Sequence, residues 1–187
     1  MVSGMVAQKD WLEAGLKVLA AEGSPALTIE RLTGELGLSK GSYYHHFKGA
    51  GGFRTALLEY FERRFTTRLI DTVEEHPDAD AASKLTQLME LVLADADHVR
   101  LEIAVRAWAL QDPEARAAQE RVDHARTAYL QELCRGIDSV EEPEHLARLL
   151  YLILIGAEQV VPPVPATELR ALYATTLTLA TGKPFLT

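Results

Sequence analysis

Two short helical patterns separated by one tight turn leave few folds open to this chain. The first pattern runs from an N-cap at Thr28 to Gly37 and repeats its apolar residues on one helical face. The second runs from about Lys40 to Phe47, behind an N-cap at Ser39. Because so little chain connects them, the two segments predict a helix-turn-helix.

The other apolar residues also recur at helical spacing, so we expect an all-α protein with about nine helices. No segment combines a sustained alternation of apolar and polar residues with hairpin turn signals. The helix that follows the helix-turn-helix is long, because apolar residues keep a helical spacing from Phe53 to Leu69, before Pro77 interrupts the chain. The predicted helices cover about residues 9–22, 29–36, 40–47, 53–69, 82–93, 99–110, 113–135, 143–161 and 166–181.

Charge divides the chain into two parts. The whole sequence has 19 Lys and Arg residues against 27 Asp and Glu residues, a net charge of -8. Residues 1–60 are neutral, so the excess of acidic residues lies in residues 61–187. Since different electrostatics suggest different tasks, we predict a three-helix N-terminal domain over residues 1–52 and a larger helical domain over residues 53–187.

Composition favours a globular protein that is held together by its apolar core. The single cysteine, Cys134, cannot form an intrachain disulfide or a cysteine-based zinc cage. No apolar run reaches the ~18 to 20 residues that cross a bilayer, and residues 1–7 lack the features of a signal peptide. We therefore expect a cytoplasmic protein with no metal, no cofactor and no membrane contact.

The second helix of the helix-turn-helix contains a specific motif. Residues 42–47 read Ser-Tyr-Tyr-His-His-Phe, which fits the pattern of small residue, apolar or aromatic residue, Tyr, any residue, His, Phe. Together with the preceding helix, this segment resembles the recognition helix-turn-helix of the TetR family of bacterial transcriptional regulators. The resemblance is specific over about residues 9–60, and beyond them only the helical layout is similar.

The resemblance implies a dimeric DNA-binding regulator. Its recognition helix would enter the major groove of double-stranded DNA at a palindromic operator. The larger domain would form the homodimer and bind an unidentified small-molecule effector that releases the repressor, with the fourth helix transmitting the change. The alternative function is that of a small all-helical enzyme or ligand-binding protein that does not act on DNA.

The recognition helix offers several groups for DNA contacts. Lys40 can donate to guanine, Ser42 can contact any base, and the ring of Tyr43 can pack on a thymine methyl group. The resemblance implies that Tyr44 and His46 bind phosphates. The chain has no Asn and this helix has no Gln, so direct readout favours G and T. The candidate DNA-binding residues are Thr28, Ser39, Lys40, Gly41, Ser42, Tyr43, Tyr44, His45, His46 and Lys48.

Two features of this region need a separate explanation. Family members usually have a phosphate-binding Lys at the position of Ala50, so one phosphate contact is expected to be missing. Lys48, Arg54 or the first backbone N–H groups of the fourth helix can replace it. Residues 37–41 also match the G-x-S-x-G motif of α/β-hydrolases, but that motif requires a preceding strand, and Ser39 is better explained as an N-cap.

The larger domain has candidates for a dimer interface and for a ligand pocket. The last two predicted helices have apolar stripes and resemble the pair that forms a four-helix bundle with a second copy. Bulky side chains with polar tips in the middle helices suit a pocket for a hydrophobic small molecule, although ordinary packing explains each of them as well. The predicted interface contains Leu146, Leu150, Ile153, Leu154, Ala157, Leu169, Leu172, Tyr173 and Thr176, and the predicted pocket contains Met89, Trp108, Gln111, His124, Tyr129 and Tyr151.

Overall fold

A computed structural model describes residues 7–94 and 98–185, which are helical with short connections and contain no strand. A π-helical turn over Arg63–Thr67 joins the helices Ala50–Glu62 and Arg68–Glu74 without a break, and counting these two as one gives nine α-helices in the described residues. The predicted all-α class is confirmed. The helices are α1 (Gln8–Glu22), α2 (Ile29–Leu36), α3 (Lys40–His46), α4 (Ala50–Glu62), α5 (Arg68–Glu74), α6 (Ala81–Leu93), α7 (His98–Ala109), α8 (Pro113–Arg135), α9 (Pro143–Gln159) and α10 (Ala166–Thr181).

The helix-turn-helix is built by its caps, as predicted. The Thr28 hydroxyl accepts a hydrogen bond from the Arg31 N–H at 3.1 Å and begins α2. The Ser39 hydroxyl accepts one from the Ser42 N–H at 3.3 Å and begins α3. Gly37 ends α2 with φ 65°, a left-handed conformation that glycine adopts without strain. These three residues therefore fix the short connection between the two helices.

The first of two compact units comprises residues 7–63 and 100–120. Within it, α1 packs on both α2 and α4. The approach of α4 to α1 is close at Gly15, where a Cβ would lie 2.6 Å from the ring of Phe53. By packing, α4 thus belongs with α1–α3, while the functional boundary at residue 52 stays a prediction.

The second unit comprises residues 64–94, 98–99 and 121–185. Its core is formed by leucines, tyrosines and small residues of α5, α6, α9 and α10 and of the C-terminal half of α8. Ion pairs join its helices at the surface, among them Lys84 with Glu74 at 2.5 Å and Arg170 with Glu90. No helix of the described part of the chain is long and apolar enough to cross a membrane.

Candidate nucleic-acid interface and ligand cavity

An aromatic cluster anchors the inner side of α3. Tyr43 is 1% exposed, and its ring centroid lies 5.4 Å from that of Trp11 and 5.6 Å from that of Phe53. Phe47, just after α3, is buried against the same Phe53 ring. Burial raises the pKa of Tyr43 to about 12. Because its ring is enclosed in this cluster, Tyr43 is not accessible to a thymine methyl group, and the contact predicted from the sequence is wrong.

The opposite side of α3 is open to solvent. Lys40, Gly41 and His45 are exposed, and Tyr44 is 56% exposed although it is a large aromatic residue. Among the other candidate residues, Ser42 and His46 are half-buried, while Thr28, Ser39 and Lys48 are exposed. The Thr28 and Ser39 hydroxyls serve as helix caps. The sequence prediction did not separate the buried Tyr43 from the accessible Tyr44.

The segment around α3 is locally basic in an acidic protein. Between Glu35 and Glu59 the sequence has no acidic residue, while Lys40, Lys48 and Arg54 carry positive charge. A local positive potential of this kind favours the approach of the phosphate backbone even when the net charge of the molecule is negative.

Lys40, the candidate base-reading residue, is paired in the isolated chain. Its ammonium group contacts the carboxylate of Glu30 on α2. The side-chain hydrogen bond between them raises the pKa of Lys40 and lowers the pKa of Glu30. Both side chains are mostly exposed, so DNA can compete for Lys40 without opening a buried contact.

The first turns of α4 follow the helix-turn-helix and are bound by side chains at the start of α8. Arg54 Nη1 lies 3.5 Å from Asp112 Oδ2, and Thr55 donates a hydrogen bond to the Glu114 carboxylate. Asp112 also accepts the Ala115 N–H at 3.0 Å, which lowers its pKa. Arg54 is thus engaged with the corner between α7 and α8. The exposed N–H end of α4 at Ala50 remains the better replacement for the missing lysine.

The second unit contains a cavity of about 70 Å³ among α6, α8, α9 and α10 and the π-helical turn. Of the predicted pocket residues, Met89, Tyr129 and Tyr151 line it. The Tyr129 hydroxyl donates to Glu74 at 2.5 Å and the Tyr151 hydroxyl to Asp123 at 2.7 Å, so their rings form the wall. Trp108, Gln111 and His124 do not line it: Trp108 is a core residue of the first unit, and the other two are exposed.

The sequence prediction missed the polar part of this cavity. Arg126 donates from Nε to the Thr66 hydroxyl at 3.0 Å and from Nη2 to the Phe65 carbonyl at 3.2 Å, and all three residues line the cavity. Arg126 precedes Tyr129 by three residues on α8. Because residues three apart lie on the same face of a helix, this spacing could have predicted that Arg126 lines the same cavity as Tyr129. A second cavity of about 180 Å³ shares Val92 and two other residues with the first one.

The predicted interface residues divide between the two faces of α9 and α10. Ile153, Leu154 and Thr176 are half-buried and Leu172 is exposed. Other leucines, including Leu149, Leu152 and Leu179, face solvent instead. The predicted interface residues that are buried within the chain, and so have little surface left for a second copy, are Leu146, Leu150, Ala157, Leu169 and Tyr173.

Comparisons with known proteins agree with this geometry. Residues 12–50 match the family model for bacterial regulatory proteins of the tetR family. The uncharacterised HTH-type transcriptional regulator YuxN of Bacillus subtilis is 24% identical over 94 residues, which cover 49% of this chain and 32% of that protein. The chain therefore spans about a third of that relative's length.

Two solved structures show the same fold along most of the chain. A TetR transcription regulator from Haloarcula marismortui has a TM-score of 0.75 at 20% identity, covering 95% of this chain and 97% of its own. A protein of Saccharomonospora viridis, solved in complex with choline, has a TM-score of 0.69 at 20% identity, covering 91% of this chain and 94% of its own. At this identity the two matches support the fold.

Proposed function

Because this chain belongs to the TetR family of bacterial transcriptional regulators, we propose that it is a homodimeric repressor that a small-molecule effector releases from a palindromic operator. Proteins of this family are DNA-binding regulators and not enzymes. We assign DNA binding to residues 1–52, and dimerisation and effector binding to residues 53–187. The site of action is then the cytoplasm, where the operator is accessible.

One observation carries the DNA-binding part of the proposal. The recognition helix α3 is fixed from inside by Tyr43, while Lys40, Tyr44 and His45 stay accessible on its outer side. The exposed ring of Tyr44 contributes little packing energy to the folded chain, so its position is not explained by stability. Lys40 and Tyr44 can contact a base edge and a phosphate in a major groove.

The dimer and effector parts of the proposal rest on separate observations. The exposed leucines of α9 and α10 are apolar side chains that a second copy can cover. The cavities of the second unit provide internal space for a small molecule. The structural match with a choline complex supports small-molecule binding on this fold.

Release from the operator requires two dimer shapes of different DNA affinity. A two-fold dimer reads half-sites about one helical turn, ~34 to 36 Å, apart. In one of these conformations the recognition helices do not match the spacing of the half-sites, and the effector binds that conformation more tightly. The effector can lower the DNA-binding free energy by no more than the difference between its own binding free energies for the two conformations, typically ~1 to 3 kcal/mol.

The decisive experiment selects binding sites from random duplex DNA with the purified full chain at a fixed salt concentration. We expect an enriched palindrome. Lys40→Ala and Tyr44→Ala should then abolish binding to the selected site while leaving the circular dichroism spectrum and the dimer mass unchanged.

Lys17→Ala is the matched control, because Lys17 is an exposed lysine on α1, outside the helix-turn-helix. It should bind the operator like the unmodified chain. Operator binding that survives both α3 substitutions would show that α3 is not the recognition helix. Failure to enrich any site, with the dimer verified by light scattering, would favour a ligand-binding protein that does not act on DNA.

A further inference from the structure

Three tyrosines lie in the wall of the smaller cavity of the second unit, and their hydroxyl groups differ. The Tyr129 hydroxyl donates to Glu74 at 2.5 Å. The Tyr151 hydroxyl donates to Asp123 at 2.7 Å. Tyr173, on α10, is 4% exposed, and its hydroxyl makes no hydrogen bond to any part of the chain that the structure describes. Because a buried tyrosine hydroxyl usually has a hydrogen-bond partner, Tyr173 offers a donor to a molecule in this cavity.

The other polar side chains of this wall are engaged within the chain. Arg126 donates to the Thr66 hydroxyl at 3.0 Å and to the Phe65 carbonyl at 3.2 Å. His98 stacks on the Phe65 ring, with 4.7 Å between the ring centroids. The remaining lining residues are apolar, apart from the three tyrosines. A molecule in this cavity therefore gains an apolar enclosure and a hydrogen bond from Tyr173.

The charges near Tyr173 disfavour a charged ligand. Burial and then the charge of Glu158 raise the pKa of Tyr173, so the phenol keeps its proton at neutral pH and a carboxylate acts on it. That carboxylate repels an anion, and Arg126 in the same wall repels a cation. Any charged group would also lose its hydration in an apolar cavity. The cavity therefore favours an uncharged molecule that presents a hydrogen-bond acceptor to Tyr173.

The two cavities of the second unit together limit the size of this molecule. The larger cavity, of about 180 Å³, has Val92, His98 and Leu154 in common with the smaller one, so the two lie side by side. An apolar cavity of about 150 Å³ holds benzene, so the larger cavity accommodates a six-membered ring. The smaller cavity, of about 70 Å³, has room for a carbonyl group but not for a second ring of that size.

We propose that these cavities bind one small uncharged ketone, with its hydrocarbon ring in the larger cavity and its carbonyl oxygen accepting a hydrogen bond from Tyr173. The ketone is then the effector of the repressor, and this last step rests on the proposed function. Specificity comes from the acceptor, because a hydrocarbon of the same shape leaves the Tyr173 hydroxyl unpaired.

The main test compares the full chain with its Tyr173→Phe variant, without DNA, using cyclohexanone and methylenecyclohexane as probes. The second probe has a CH₂ group in place of the oxygen. Tyr173→Phe should weaken cyclohexanone binding about two- to tenfold and leave methylenecyclohexane binding unchanged. Headspace gas chromatography measures the free concentration of both volatile probes. Equal changes for the two probes, no change for cyclohexanone, or no binding of cyclohexanone at millimolar concentration would overturn the proposal.

Two further variants locate the site. Tyr60→Phe is the matched control, because the Tyr60 hydroxyl donates to Glu13 at 3.0 Å in the first unit, and it should leave the binding of both probes unchanged. Val92→Phe adds bulk where the two cavities adjoin and should weaken both probes. A loss of cyclohexanone binding in Tyr60→Phe equal to that in Tyr173→Phe, or full binding by Val92→Phe, contradicts the assigned site.

Charged probes with the same ring test the class of ligand. Calorimetric titration should show cyclohexylammonium and cyclohexanecarboxylate binding at least about tenfold more weakly than cyclohexanone. Either ion binding as tightly as the ketone contradicts the uncharged class.

Thermal unfolding of the ligand-free chain tests the state of the Tyr173 hydroxyl without any probe. Tyr173→Phe removes a buried hydroxyl that has no hydrogen bond, so it should raise the Tm. Tyr129→Phe removes the hydrogen bond to Glu74 and should lower the Tm. A fall in Tm for Tyr173→Phe as large as that for Tyr129→Phe would mean that the Tyr173 hydroxyl is already bonded in the folded chain, which contradicts the proposal.

Measuring operator binding separately distinguishes the two proposals. A chain that binds the operator but not cyclohexanone contradicts the ketone site and leaves the repressor intact. A chain that binds cyclohexanone through Tyr173 but binds no DNA contradicts the repressor and leaves the site intact. Binding of both without release of the operator by cyclohexanone contradicts the effector role.

Discussion

At the scale of single residues, the contact between Glu30 and Lys40 sets the state of the recognition helix before it meets DNA. In the proposed DNA complex, Lys40 leaves Glu30 to reach a base, and the Glu30 carboxylate brings negative charge close to the phosphates. We expect Glu30→Gln to tighten operator binding a few-fold at low salt, with a smaller effect as salt is raised. Fluorescence anisotropy with the selected operator measures this.

The control for that substitution is Glu22→Gln. Glu22 pairs with Arg31 at 2.8 Å, so its replacement removes one acid of the same domain without touching Lys40. Operator affinity should then change less than for Glu30→Gln. Weaker binding by Glu30→Gln would mean that the pair orients Lys40 for base contact rather than withholding it.

Cys134 illustrates a residue whose environment makes it chemically inert. It is completely buried, and burial, with a smaller contribution from the charge of Glu144, raises the pKa of its thiol to about 11. Since the thiolate is the reactive form, we expect no reaction with a disulfide reagent near neutral pH and one equivalent in urea. A reagent that releases a coloured thiolate measures the reaction by absorbance. Because the chain has one cysteine, this absorbance reports Cys134 alone. Rapid reaction of the folded chain would contradict the buried position.

At the scale of the elements, two glycines of the helix-turn-helix test how the tight turn is specified. Gly34 lies inside α2 and Gly37 ends it, and a Cβ at either would meet open space. Only Gly37 has a positive φ, of 65°. We expect Gly37→Ala to lower the free energy of unfolding by about 1 kcal/mol, and Gly34→Ala to raise it by about 0.5 to 1 kcal/mol. Urea unfolding of both variants measures the difference, and equal effects would contradict the assigned turn.

Local signals were sufficient to predict the helices but not the details that depend on distant contacts. Caps such as Ser39 and breakers such as Pro77 act within a few residues, so most helix limits could be found from the sequence. The start of α4 was wrong, because this helix begins at Ala50 and not at Phe53. The π-helical turn at Phe65 is bound by Arg126, which lies about sixty residues away along the chain, and spacing within one helix contains no trace of it. Tyr43 and Tyr44 are adjacent, and only the packed structure distinguishes the buried ring from the exposed one.

The same limit applies to the faces of α9. This helix is apolar on more than one side, so its period did not indicate which stripe packs inside the chain. The sequence selected Leu146 and Leu150, which are buried, and overlooked Leu152, which is exposed.

At the scale of the whole molecule, the proposed function requires a second copy, and the exposed leucines of α9 and α10 are the candidates for its contact. Leu152 and Leu179 are large apolar residues, and Leu179 is 82% exposed. Exposed leucines favour association, because covering them removes apolar surface from water. We expect Leu152→Glu and Leu179→Glu to place a charge in that contact and to produce monomers.

Loss of the dimer should also weaken operator binding, because one recognition helix alone no longer benefits from the second half-site. We expect at least about a tenfold loss of affinity, with the circular dichroism spectrum unchanged. Leu110→Glu is the matched control, since Leu110 is 77% exposed but follows α7 in the first unit. Light scattering after size exclusion should give a dimer for that control and monomers for the two α9–α10 variants. Dimers in all three would place the contact elsewhere, because a buried glutamate on each copy cannot be tolerated in an apolar contact between identical helices.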